Sequence, residues 1–137
     1  MSSEARVFVI EADQVIRSAL GYILSESYET FTFSATADAL SKPAPFAPDV
    51  VLVGSSLLED KGAETVASLA DKLGRPGVIV VAESAKAPPA LAGVRQGAEA
   101  VIAKPITHDG VSSAVEAVLA RRGPVPQRTA SPPLMCI

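Results

Sequence analysis

Few side chains in this chain can do chemistry, and most of them fall directly after short apolar runs. Glu11 and Asp13 follow Arg6–Ile10, Ser55 and Ser56 follow Asp49–Gly54, Glu83 and Ser84 follow Val78–Ala82, and Lys104 follows Ala100–Ala103. Clustered carboxylates hold a hard divalent cation, and an ammonium with hydroxyls holds an anion. Beyond these segments the chemistry runs out. His108 is the only histidine and Cys136 the only cysteine, which excludes multi-histidine metal sites, disulfide frameworks and cysteine-based zinc sites. One imidazole makes no credible Ser-His-Asp arrangement, and no carboxylate pair stands out for acid–base work. No glycine-rich phosphate cradle follows the first apolar run, and there is no P-loop, so a dinucleotide or nucleoside triphosphate lacks its usual site.

The elements that position these groups are legible in the apolar pattern. Arg6–Ile10, Tyr28–Ser34, Asp49–Val53, Val78–Ala82 and Ala100–Ala103 read as strands. Strands one, three and four are almost uninterrupted apolar runs, as expected when both faces of a sheet are covered. Tyr28–Ser34 alternates and is expected at an edge. Asp13 reads as the N-cap of a helix with Val15, Ile16, Ala19, Leu20, Ile23 and Leu24 inward. Further helices are expected over Ala35–Leu40, Ala63–Leu73, Pro88–Gly97 and His108–Arg122, with Ser55 and Ser56 as turn residues between strand and helix. Lys42–Pro48 holds three prolines and reads as loop. Strand and helix thus alternate five times, which predicts an α/β, flavodoxin-like, doubly wound parallel sheet of five strands with five helices.

Length and composition agree. A chain of 137 residues builds one core. Residues 1–123 are expected to form that domain. Residues 124–137 hold four of the eleven prolines and read as an extended tail, with Leu134, Met135 and Ile137 as an apolar end. At 48% hydrophobic and 20% charged, the chain is of a folding, not a disordered, class. A net charge of −3 argues against nucleic acid, and the absence of tryptophan argues against base-stacking platforms. No apolar run approaches the ~20 residues of a membrane span, and the start lacks a secretory signal, so a cytoplasmic protein without a membrane partner is expected.

The segments RVFVIEADQVIRSAL, PDVVLV, VIVVAES and GAEAVIAKPI, in this order and spacing, resemble the receiver domains of two-component response regulators over about residues 5–122. That resemblance implies a family chemistry. A kinase histidine passes a phosphoryl group to an aspartate at the end of strand three. Two acids after strand one help hold Mg²⁺. A hydroxyl after strand four and a lysine after strand five contact the phosphoryl group. Carried onto this chain, Glu11 matches the first acid and Ala12 replaces the second. Gly54 stands at the phosphoacceptor, Ala82 at the hydroxyl, and Val101 at an aromatic position that often works as a switch. Lys104-Pro105 is retained.

The expected protein is therefore a pseudo-receiver. Its vestigial pocket is Glu11, Asp13, Ser56, Ala82 and Lys104, with no phosphoacceptor, catalytic residue, metal or cofactor. Lys104 is expected to pair with Glu11 across the vacant pocket. The expected function is phosphorylation-independent protein–protein interaction by a single-domain regulator, with a histidine kinase, regulator or adaptor as partner and a homodimer as a further arrangement. The contact face implied by the resemblance is Pro88–Gly97, Ala100–Ala103 and Thr107–Arg122. Two alternatives stay open: an anion sensor using the pocket near Lys104, and a receiver phosphorylated at an atypical residue such as Ser55, Ser56 or Glu59.

Overall fold

The computed structural model describes residues 5–41 and 47–122. Five strands form one parallel sheet in the order β2-β1-β3-β4-β5: β1 (Arg6–Ile10), β2 (Glu29–Phe33), β3 (Val50–Gly54), β4 (Gly77–Ala82) and β5 (Ala100–Ala103). The register sets Phe8 beside Phe31 on one side and Val51 on the other. Val53 pairs with Val80, and Val80 with Val101. The alternating strand β2 lies at an edge, and every residue of β1, β3 and β4 is buried.

Side chains alternate across these strands, so each supplies two cores. Phe8, Ile10, Val51, Val53, Val78 and Val80 face one layer of helices: α2 (Thr36–Leu40), α3 (Ser55–Lys61), α4 (Thr65–Lys72) and α5 (Pro88–Arg95). Val7, Val9, Val50, Leu52, Ile79 and Val81 face α1 (Gln14–Ser25) and α6 (His108–Arg122). Phe8 meets Phe31 and Phe33 edge-on, with ring centroids 5.9 and 5.0 Å apart. The doubly wound fold expected from the alternation is the fold observed.

Local signals explain most boundaries. Asp13 caps α1, its Oδ1 accepting from the amides of Val15 at 2.8 Å and Ile16 at 3.1 Å. Pro88 and Pro89 begin α5, where a missing N–H costs nothing. Two details differ from the sequence reading. The residues after β3 form a helix of their own, α3, making six helices among the described residues instead of the five expected. Leu57 and Leu58 anchor it in the core, and Gly62 ends it at φ 95, with its amide donating to the Leu58 carbonyl at 2.7 Å. In α1, Val15 is not inward but 77% exposed, because only Leu20 and Leu24 reach the sheet fully.

Among the described residues no helix is long and apolar enough to cross a membrane. The tail from Pro124, including Cys136, lies outside the described residues, as does most of the Lys42–Pro48 loop.

Two apolar positions of α1 should respond very differently to truncation. Leu20→Ala is expected to lower unfolding free energy by about 2–5 kcal/mol, and Val15→Ala to change it by no more than about 0.5 kcal/mol. Urea unfolding of both variants checks this.

Candidate functional site

The sheet order reverses between β1 and β3, and the carboxyl ends of these two strands form the crevice where such folds bind ligands. Ile10 pairs with Val53, so the next residues, Glu11 and Gly54, stand side by side at that point. The backbone holds Glu11 there from two sides. Its amide donates to the Phe33 carbonyl at 2.9 Å, and its own carbonyl accepts from Arg17 Nη1 at 2.7 Å.

The Glu11 side chain is turned into the crevice and is only 3% exposed. Its Oε2 accepts from the Asp13 amide at 3.0 Å. The carboxyl group lies over the bare α-carbon of Gly54. A β-carbon added at Gly54 would meet the Glu11 Cδ at 2.7 Å and Oε2 at 2.9 Å, and would press still harder on Oε1. Real side chains do not sit at such separations, so any side chain at 54 would require the Glu11 carboxyl group to swing away from the Asp13 amide. The backbone of Gly54, at φ −69 and ψ 141, is open to any residue. The constraint is therefore space, not conformation.

Gly54 is also the residue that precedes α3, and it offers no side chain to cap that helix. The carboxylate of Glu11 stands beside this helix start, where negative charge is favourable. A side chain from β1 thus fills the position that a side chain of residue 54 would otherwise take.

The other expected pocket residues are dispersed. Asp13 is exposed and spends its carboxylate on capping α1. Ser56 is exposed on the first turn of α3, so it is a helix residue and not a turn residue. Ala82 is buried at the end of β4, and its carbonyl accepts from the Lys104 amide at 2.9 Å. Lys104 does not pair with Glu11. Its Nζ bonds Glu83 Oε2 at 3.0 Å, and the two side chains are 25% and 78% exposed. The reason is access: Glu83 follows β4, the strand next to β5, whereas Glu11 is folded under and engaged with the Asp13 amide. Ser84 bonds the Lys86 amide at 3.2 Å and shapes the loop. Val101 is half-buried against the α2–α5 side of the core. His108 bonds Glu26 at 3.0 Å and belongs to the α1–α6 surface.

Among the described residues no three His, Cys, Asp or Glu side chains are grouped to hold a metal ion. The donor set at the crevice is a single buried carboxylate, and it does not fit the octahedral oxygen shell of Mg²⁺. Geometry missed by the sequence reading is thus one contact, Glu11 on Gly54. Its only signal in the sequence was a glycine at the end of a buried strand, where close approach of another group is a standard reason for glycine.

The family model for the response regulator receiver domain matches residues 7–116. Similar solved structures share the fold. NtrX from Brucella abortus superposes with a TM-score of 0.77 at 24% identity, covering 87% of this chain. The present chain spans only 28% of that protein. A CheY-like receiver domain protein from Methanospirillum hungatei gives 0.75 at 21% identity, covering 88% of this chain and 97% of its own. A response regulator from Burkholderia pseudomallei, solved with a phosphorylated aspartic acid and a calcium ion, gives 0.67 at 23%, covering 89% and 76%. No match was found among curated proteins.

The Glu11–Gly54 contact makes a prediction whose sign reverses with background. Gly54→Ala should destabilise the protein by about 1–3 kcal/mol by pushing the buried Glu11 carboxyl group off the Asp13 amide. In a Glu11→Ala background the same change should be neutral or stabilising by up to about 1 kcal/mol, because alanine then only restricts the unfolded chain. Denaturant midpoints of the four proteins check it. The Lys104–Glu83 pair is a surface pair, so Lys104→Ala should cost no more than about 1 kcal/mol by the same measurement.

Proposed function

This chain belongs to the response regulator receiver domain family, and we propose that it is a receiver from which phosphoryl transfer has been removed and which acts by binding other proteins. The observation that carries this reading is the Glu11 carboxyl group lying in the space a side chain at Gly54 would need. Phosphoryl transfer to a receiver requires a nucleophile in line with the phosphorus and a cation to gather the developing charge. Gly54 supplies no nucleophile. Ala12 and Ala82 supply neither a second acid nor a hydroxyl, and Glu11 is buried against Gly54. No catalytic set remains, and we read the protein as a non-enzyme that works in the cytoplasm of a bacterial-type signalling pathway.

The binding face in this reading is α5, β5 and α6. Leu91 and Val94 on α5 are 44% and 47% exposed. Apolar groups exposed on one short helix favour a protein partner over a small ligand. Val101 has no ring to move between buried and exposed positions, so the face is held in one state or shifted by the partner's own binding energy. The partner class is a histidine kinase, another regulator or an adaptor, with a homodimer through the same face as a further arrangement. A sensor built around Lys104 is less favoured, because that ammonium is already engaged by Glu83.

Two experiments test the reading. Incubation with acetyl phosphate and Mg²⁺ should leave the intact mass unchanged, and a stable gain of one phosphoryl group at any residue, Ser55, Ser56 and Glu59 included, would overturn it. Capture of partners from the source cell should be lost with Leu91→Asp or Arg95→Glu while the fold persists. Undiminished capture by both variants would place the binding face elsewhere.

A further inference from the structure

On the α2–α5 side of the sheet, a cavity of about 270 Å³ that neither Glu11 nor Gly54 lines opens between α2 and α4. Its polar lining is Thr36 from α2, Lys61 from the end of α3, and Thr65, Ser68 and Lys72 from α4. Thr65, Ser68 and Lys72 repeat at helical spacing, so α4 turns one continuous polar stripe toward the cavity. Leu40 and Leu69 supply apolar wall.

Three groups of this lining have no side-chain partner among the described residues: two exposed lysines and one buried threonine. Among the described residues, neither Lys61 nor Lys72 has an ion pair. Thr36 is 8% exposed, yet its hydroxyl has no hydrogen-bond partner among the described residues. A buried hydroxyl is normally satisfied, and one that is not points to a missing partner. Both lysines also stand in the last turns of their helices, where a cation is favoured on its own account but not consumed by it. Glu64, beside Lys61, contributes one carboxylate to the rim, which leaves a surplus of one positive charge.

We propose that this cavity binds a small phosphomonoester, its phosphate held between Lys61 and Lys72 with hydrogen bonds from Thr36, Thr65 and Ser68. The donors come from three helices, and two ammonium groups with three hydroxyls match the many acceptor sites of a phosphate dianion better than the two oxygens of a carboxylate. The cavity approaches the lower range for small-molecule sites, and the leucines offer a surface for the organic part of the ligand. The site shares no residue with the Glu11–Gly54 crevice, and it stands or falls independently of the phosphoryl chemistry there.

The test uses the full chain, with inorganic phosphate and glycerol 3-phosphate as probes at constant ionic strength, followed by amide chemical shifts. Both probes should give saturable shifts centred on α2 and α4, with glycerol 3-phosphate the tighter. Lys61→Ala and Lys72→Ala should each weaken glycerol 3-phosphate about tenfold, as expected for loss of one charge-assisted contact. Thr36→Val, which keeps the shape, should weaken it severalfold, Glu64→Gln should tighten it, and Lys86→Ala, in an exposed loop, should change nothing. Shifts that grow linearly without saturation, or saturable binding that survives the double Lys61→Ala/Lys72→Ala variant, would overturn the site. Binding of inorganic phosphate with glycerol 3-phosphate tenfold weaker would overturn the phosphomonoester.

Discussion

The carboxyl group of Glu11 and the backbone of Gly54 share one small volume at the switch point of the sheet, and much of the molecule's character follows from that contact. Adjacent strands lie about 4.8 Å apart, a gap that the two methylenes of a glutamate can span. The parallel pairing of β1 with β3 sets the two residues abreast, and the Asp13 amide fixes the carboxylate in place. Burying a carboxylate is costly unless its oxygens are satisfied and opposite polarity lies near. Here the amide and the start of α3 supply part of that compensation. With Glu11 in this position a second side chain does not fit, so a residue larger than glycine at 54 would have to displace the carboxyl group from the Asp13 amide.

The rest of the fold is the frame for this crevice. Two buried layers on opposite faces hold β1, β3 and β4 rigidly, and α1 is tied to the crevice through the Asp13 cap and the Arg17 bonds to the Glu11 and Ala12 carbonyls. A receiver that responds to phosphorylation needs its pocket to report a changed charge. In the proposed reading the carboxyl group is supplied from within by the fold, and Lys104 has been drawn to Glu83 at the surface. Partner binding then becomes the only input to the α5–β5–α6 face.

Most of the fold was legible because it rests on apolar runs of strand length separated by amphipathic segments. The edge position of β2 followed from its alternation, and the start of α1 from Asp13. What escaped were features set by reach and access. Ser55 and Ser56 read as a turn because hydroxyl residues after a glycine usually are one, yet two buried leucines and the stop at Gly62 make them the first turn of α3. Val15 fits the helical apolar period, but α1 is wider than the strip of sheet it covers. The replacement of the expected acceptor by Gly54 was visible in sequence. That Glu11 occupies the resulting space was not, since sequence spacing says nothing about where a flexible side chain finds its hydrogen bond. The same limit explains Lys104, whose nearest carboxylate belongs to the neighbouring strand's loop and not to the crevice.

The central claim is that the crevice is filled from within and no longer reads phosphoryl chemistry. Beryllofluoride with Mg²⁺ forms a phosphoryl mimic on a receptive carboxylate, and amide spectra recorded with and without it test the claim most directly. The account predicts superimposable spectra at Glu11, Gly54 and across α5, β5 and α6. Saturable shifts that begin at the crevice and extend to that face would contradict it.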